Sequence, residues 1–395
     1  MPDHAADERL LNRALELASA GIARASPNPY VGAVITDPEG SIVGEGTYTY
    51  AEVKHAEILA LEAAGAKARG GTLYINLEPH AHQGRTPPCT DALIAAGIRR
   101  VVSSIADPNP KVSGRGFEQL RSAGVQVEIG GLQEQAQRLN EAFARYIRHG
   151  VPFVTLKSAM TLDGKIAPAA NGQNRRSERQ ADGASKDDGF SGTWITGEVA
   201  RAHVQELRHQ HDTILTGIGT VIADNPLLTD RSGLPRRRPL LRVILDSRLR
   251  LPLESRMVDD AARNRQEDVL IFCCVPDEKK KSRLERLGIR VEQVPENAQH
   301  RPDLNAVLRR LGQLEINSLM IESGSTVNGA ALAANAVDKL FFYYAPKILG
   351  GRAIPFAADS TSGDANQARA ISRVQFHRFG EDFAVEGYLR DPYED

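Results

Sequence analysis

Two α/β domains meeting near residue 150 are the architecture this sequence predicts, and three observations predict it. At 395 residues the chain exceeds what one hydrophobic core usually organises. Short strand-like apolar runs alternate with helical stripes along its length, the pattern of a sheet covered by helices. The alternation also restarts after Arg148-His149-Gly150, where Val151-Pro152-Phe153 opens a new strand. The expected units are residues 1–149 and 150–395.

In order, residues 8–24 place Leu10, Leu11, Ala14, Leu15, Ala18 and Ile22 on one helical stripe. The turn Ser26-Pro27-Asn28-Pro29 leads to a strand over 31–36. A second strand at 41–44 follows Asp37-Pro38-Glu39-Gly40, a hairpin signal. His55–Ala68 reads as a helix, 72–77 as a buried strand, and Pro87-Pro88-Cys89 opens a helix to Ala96. A strand at 100–104, a helix near 116–123, a strand at 125–129 and a helix over 132–147 complete the first unit. In the second unit, strands are predicted at 153–157, 213–216, 242–246, 269–272, 318–322 and 339–343, with a helix at 199–209. The polar tract 170–192 lacks apolar periodicity and is expected to be a mobile loop. Lys279-Lys280-Lys281 is most simply a solvated turn or helix start.

Composition bounds the function. With 49 basic and 50 acidic residues the formal charge is −1, and aromatics make up 5%. No global field or aromatic-rich basic face recruits nucleic acid. No apolar run reaches the roughly 18–20 residues of a membrane span. The polar, acidic start Met1-Pro2-Asp3-His4 does not look like a signal peptide. Three cysteines (Cys89, Cys273, Cys274) make no disulfide framework, so a reducing cytoplasm is the expected address.

The chemistry concentrates in His55-Ala56-Glu57, Glu78-Pro79-His80 and Cys89. Imidazole and thiolate suit Zn²⁺, and a site with three protein ligands leaves its fourth position open for water. Base deaminases combine such ligands with a nearby Glu that moves protons and does not ligate. Each residue alone has a plainer role: His55 as a cap, Cys89 as a small buried group, His80 as a loop residue. Together, each at an element boundary, they point to a metal site.

The runs Ser26-Pro27-Asn28-Pro29-Tyr30-Val31-Gly32, His55-Ala56-Glu57, Leu77–Cys89 and Asp107–Gly116 closely resemble the deaminase half of the bifunctional riboflavin biosynthesis deaminase/reductase family. The resemblance implies a cytidine-deaminase-like α/β/α sandwich with one Zn²⁺ on His55, His80 and Cys89. Glu57 would be the catalytic proton carrier, and ammonia would leave a phosphorylated aminopyrimidine. Two positions depart from the family pattern: His80 stands where a Cys is usual, and Lys54 precedes the His-Ala-Glu where a Pro is usual. Zinc accepts a His₂Cys set, one charge more positive. His82 is a nearby rival ligand.

Residues 153–356 resemble the reductase half of the same family, which implies a dihydrofolate-reductase-like α/β domain. The matching pieces are Leu156–Lys165, Trp194–Gly197, Gly217–Thr229, Leu245-Asp246-Ser247 and Glu322–Gly329. By resemblance NADPH would be held by Ala159, Trp194, Thr220, Asp224 and Ser247, and by Gly324, Ser325, Thr326, Val327, Asn328, Gly329 and Ala330. The ribosylamine substrate would meet Ser191, Arg208, Leu228, Arg231 and Glu322. From the residues alone less follows. Gly217-Ile218-Gly219 and Gly324 let backbone approach an anion, but this is not the dinucleotide fingerprint. Arg208, on a helix with charged neighbours, reads by itself as solvated surface, and Trp194 as a core anchor. The alternative function is a reductase with a retired deaminase-like domain. The resemblance further implies self-association into a homo-oligomer.

Overall fold

The computed structural model describes residues 4–82, 87–169, 194–358 and 368–394, so the tract 170–192 lies outside the described residues. The amino-terminal part contains α1 (His4–Ser19), β1 (Gly32–Thr36), β2 (Ile42–Thr47), α2 (Ala56–Ala64), β3 (Thr72–Ile75) and α3 (Cys89–Ala96). It continues through β4 (Arg100–Ser103), α4 (Arg115–Ser122), β5 (Gln126–Ile129), α5 (Gln133–Leu139) and α6 (Glu141–His149). Its sheet runs β2-β1-β3-β4-β5, with β1 antiparallel to both neighbours and β3, β4 and β5 parallel.

Alternation along the strands builds the layers. Ala33, Ile35, Leu73, Ile75 and Val101 share a core with α2, α3 and α4. Their sequence neighbours Val34, Tyr74 and Val102 pack on Leu10, Leu11 and Ala14 of α1. Helix α2 lies directly on β2: a Cβ at Gly46 would stand 2.1 Å from Ala56 O, so this approach requires glycine. That contact sets where α2 begins, and α2 begins at the site.

The carboxy-terminal part contains β6 (Phe153–Thr161), β7 (Lys165–Ala167), α7 (Glu198–Gln210), β8 (Thr213–Gly217), α8 (Ile218–Asp224) and β9 (Leu241–Leu245). Then come α9 (Arg256–Asn264), β10 (Val269–Cys273), α10 (Glu278–Arg286), β11 (Ile289–Gln293), α11 (Leu304–Gln313) and β12 (Ser318–Glu322). The part closes with α12 (Ser325–Ala333), β13 (Lys339–Ala345), β14 (Ile354–Pro355), β15 (Ser372–Phe379) and β16 (Asp382–Tyr388). The large sheet runs β11-β10-β9-β8-β12-β6-β13-β16-β15, parallel from β11 to β13, with β16 and β15 antiparallel at one flank. Ile214, Ile244, Ile271 and Met320 face α7, α9 and α10. Leu215, Val243, Leu270 and Ile321 face α11 and α12 on the other side.

Three expectations shift in detail. The predicted helix 132–147 divides at Asn140, which is buried and uses its carboxamide on Tyr30: Tyr30 N donates to Oδ1 at 2.8 Å and Nδ2 donates to Tyr30 O at 3.0 Å. The lysine run forms the first turn of α10, whose start is capped by Asp277 accepting from Lys280 N. Arg208 is not solvated surface: it is buried, because its charge has a partner across the fold.

Candidate functional sites

The ends of β3 and the starts of α2 and α3 converge. His55 is the extended residue before α2, Glu57 sits buried in its first turn, His80 follows β3, and Cys89 is the first residue of α3. One side-chain ligand atom from each of His55, Glu57, His80 and Cys89 lies within 4.8 Å of every other. Cys89 Sγ and His55 Nδ1 are 3.4 Å apart, and the His55 and His80 rings are 4.3 Å apart between centroids. A tetrahedral zinc with bonds of about 2.0 Å to N and 2.3 Å to S has an N···S edge of about 3.5 Å. The donor set and its spacing therefore fit zinc. His82 stacks edge-on to His80 at 5.3 Å but lies outside the cluster.

Burial raises the pKa of Glu57, opposed by the charge of His55, and burial with the adjacent Glu57 raises the Cys89 thiol. A carboxyl that takes up a proton readily suits a proton carrier. A cation among these groups would deprotonate the thiol outright.

His55, Glu57 and His80 of the cluster line a cavity of about 300 Å³. Its walls include Asn28, whose Nδ2 donates to Tyr48 Oη at 2.5 Å, and Asp107 and Asn109 from the loop after β4. Burial pushes Asp107 up to about 6, opposed by the Asn109 N–H and aided by Glu78. Asn28, Asp107 and Asn109 lie in the quoted motif runs, which offered a signal for them. Phe143 and Ile147 of α6 complete the wall and carry no local signal.

The second site is a cavity of about 750 Å³ across the carboxyl ends of β6, β8, β9 and β12. The order of these strands reverses there, the place where open α/β sheets bind ligands. Of the residues expected to hold NADPH, Ala159, Trp194, Thr220, Asp224 and Ser247 line it. So do Gly324, Ser325, Thr326, Val327 and Ala330. Asn328 and Gly329 do not: Asn328 Nδ2 donates to Phe356 O at 2.7 Å, and Gly329 packs on the Ala358 backbone. Of the substrate set, Arg208, Leu228, Arg231 and Glu322 line the cavity, while Ser191 lies outside the described residues. Trp194 is no core anchor; it is 48% exposed, with the Arg201 guanidinium 4.8 Å over its ring.

Glu322 organises one end of this cavity. It accepts from Lys157 Nζ at 2.9 Å and from Arg208 Nη2 at 2.9 Å, while Arg208 Nη1 donates to Thr229 O at 3.0 Å. Burial alone would raise its pKa, but Arg208 and Lys157 outweigh that and bring it down to about 2. Lys157, a buried lysine inside a strand, is the residue that sequence reasoning passed over. At the start of α12, Ser325 Oγ is buried and unpartnered among the described residues. An orphaned hydroxyl in a cavity also lined by Gly217, Gly219 and Gly324 fits a phosphate-bearing coenzyme.

Two family models match the chain: the RibD C-terminal domain over residues 152–385, and the cytidine and deoxycytidylate deaminase zinc-binding region over residues 4–105. The riboflavin biosynthesis protein RibD of Actinobacillus pleuropneumoniae is 41% identical over 97% of this chain and 95% of its own. The solved RibD of Acinetobacter baumannii superimposes with a TM-score of 0.80 at 33% identity, covering 97% of this chain and 99% of that one. A diaminohydroxyphosphoribosylaminopyrimidine deaminase/5-amino-6-(5-phosphoribosylamino)uracil reductase from Thermotoga maritima gives 0.78 at 34% identity, covering 98% and 99%.

Proposed function

Because the chain belongs to the RibD family of riboflavin biosynthesis enzymes, we infer which of its residues perform the two reactions that the family carries. It is a bifunctional deaminase and reductase that uses zinc and NADPH. The deaminase is assigned to residues 1–149 and the reductase to 150–395, which the limits of the two family matches support.

For the deaminase, His55, His80 and Cys89 would hold zinc. When bound, the metal supplies Lewis-acid activation of water. Glu57 Oε accepts a proton from the attacking water and passes it to the pyrimidine ring nitrogen. A second proton leaves with the amine as ammonia. The burial that raises the Glu57 pKa supports this role. Asp107 and Asn109 close the cavity over the ring.

For the reductase, NADPH when bound would supply a hydride to the ribosyl carbon C1′; the bond from C1′ to the ring oxygen breaks, and that oxygen takes a proton from solvent to give the ribityl chain. Glu322 fixes Arg208, and Arg208 with Arg231 would hold the substrate 5′-phosphate, since a guanidinium fork matches phosphate oxygens. The two sites then act in series on one phosphorylated pyrimidine.

A cytoplasmic, self-associating enzyme is the setting we propose. All three cysteines are unpaired thiols. The flank strand β15 leaves Phe376 76% exposed. Among the described residues no helix is long and apolar enough to cross a membrane.

The observation that carries the deaminase reading is the convergence of Glu57 on the His55, His80 and Cys89 ligand atoms. Glu57→Gln tests it. Ammonia release should fall by about 10²–10⁴-fold or more, while NADPH oxidation on already deaminated substrate continues at the parent rate. Undiminished ammonia release would remove Glu57 from the mechanism.

A further inference from the structure

The reductase cavity has a second basic region, separate from the Lys157–Glu322–Arg208 cluster. Arg250, Arg256 and Arg301 all line the cavity, beside Ser247 and Asn297. They come from three different segments: the turn after β9, the start of α9, and the connection between β11 and α11. Each segment is fixed. Leu251 N donates to Asp246 Oδ2 at 2.8 Å, holding the turn that carries Arg250. Arg256 N donates to Asn225 Oδ1 at 2.9 Å, tying α9 to the end of α8. Asn297 N donates to Arg301 O at 2.7 Å, closing the turn that presents Arg301.

The guanidinium groups are not spent on internal partners. Among the described residues Arg256 and Arg301 have no ion pair or side-chain hydrogen bond. The one ion pair of Arg250, to Asp246 Oδ1, spans 4.0 Å. At the other end of the cavity Lys157 and Arg208 share the single Glu322 carboxylate. Two guanidinium groups without a carboxylate partner, and a third paired only at 4.0 Å, all lining one cavity, are poised for an anion with more than one charge.

Their place in the sheet says which anion. From β6, which carries Ala159, to β9, which leads into Ser247 and Arg250, there are three strand steps (β6-β12-β8-β9). At about 4.8 Å per step this is about 14 Å. A ligand spanning both ends is elongated, with its reacting ring near Glu322 and a phosphate near the arginines. The orphaned Ser325 hydroxyl at the start of α12 lies between the two ends, where a bridging pyrophosphate would pass.

We propose that Arg250, Arg256 and Arg301 read the 2′-phosphate on the adenosine end of the coenzyme, and so set the preference for NADPH over NADH. The inference rests on the reductase reading of this cavity. Three phosphate oxygens and three guanidinium donors pair directly, and NADH offers only a neutral hydroxyl at that point. Charge steering by these side chains also speeds encounter with the more anionic coenzyme.

The test is calorimetric titration of 2′,5′-ADP and of 5′-AMP into the full chain, as parent, as Arg256→Ala, as Arg301→Ala and as the double variant. Losing one charged hydrogen-bonding partner costs about tenfold in affinity. Each single variant should therefore bind 2′,5′-ADP about tenfold more weakly and the double variant about a hundredfold. 5′-AMP should stay within about threefold, and the NADPH-to-NADH ratio of kcat/KM should fall in parallel. Unchanged thermal unfolding shows that the fold survives. An equal loss for both nucleotides would place the arginines on the pyrophosphate and overturn the proposal, as would no loss for either. A parent chain that binds neither NADPH nor 2′,5′-ADP would instead bring down the reductase reading itself.

Discussion

Exchanging a thiolate for the imidazole of His80 makes the ligand set one charge more positive without shortening its reach, since the His80 and His55 rings stand 4.3 Å apart. Zinc binds imidazole and thiolate with comparable geometry. His80→Cys is therefore expected to keep both zinc and ammonia release. His80→Ala leaves two protein ligands, so elemental analysis should show zinc well below one per chain, with ammonia release lost. Full zinc in His80→Ala would hand the ligand role to His82. The separate roles of His55, Glu57, His80 and Cys89 follow from the family resemblance, while their grouping was legible from residue type and position at element boundaries. Arg208 was not, since its local neighbours are charged and its partner Glu322 lies 114 positions away. Burial of that arginine is a tertiary fact. Lys157 was hidden for the same reason, its charge balanced only by a strand that arrives later in the chain.

At the scale of elements, the loop between β4 and α4 is a wall held by one buried carboxylate. Glu78, three residues past β3, accepts from the backbone N–H groups of Asp107 at 3.0 Å, Gly114 at 2.9 Å and Gly116 at 2.8 Å. This keeps Asp107 and Asn109 over the deaminase cavity. The first turn of α4, which follows the loop, comes so close that a Cβ at Gly116 would stand 2.0 Å from Pro79 O. Backbone cannot yield there as a flexible side chain would. Gly116→Ala should cost about 1–3 kcal/mol in unfolding free energy and raise the deaminase KM while leaving reductase kinetics unchanged. Equal damage to both activities would mean that the loop serves the fold at large. Such a wall was half visible: the motif named Asp107 and Gly116, but nothing local ties them to Glu78. The break between α5 and α6 was invisible to periodicity, because the apolar stripe continues while Asn140 leaves it to satisfy Tyr30. Strand and helix alternation, by contrast, read through clearly, since the buried runs that form β8, β10 and β12 depend only on local composition.

Across the whole molecule, the deaminase half docks on the large sheet through buried charge. Lys339 of β13 bonds Glu141 of α6 at 2.8 Å and Glu386 of β16 at 2.7 Å, and Arg138 of α5 pairs with Glu386. Nearby, Ser26 Oγ donates to Asp212 Oδ2 at 2.6 Å, joining the turn before β1 to the strand start of β8. His211, adjacent to that contact, is buried between Leu207 O at 2.6 Å and Thr155 Oγ1 at 3.0 Å. Its burial, with the charges of Lys339 and Arg236, lowers its pKa from 6.5 to about 4, against the help of Leu207 O and Asp212. The unfolded chain therefore takes up this proton first as pH falls. Stability is unaffected above about 6.5 and is lost progressively from there down to about 4, by about 3 kcal/mol for this group. Glu322 acts in a lower window: its pKa is depressed from 4.5 to about 2, so its stabilisation is present above 4.5 and disappears below it. Denaturant unfolding between pH 7 and pH 4.5 should thus steepen because of His211 and not because of the reductase ion cluster. His211→Gln, which keeps an acceptor for Thr155, should be less stable at pH 7 but show a flatter loss toward pH 4.5. A profile as steep as the parent's would shift the acid sensitivity to other histidines. Because His211 sits where the two halves meet, the acid-induced loss should reach deaminase and reductase activities together.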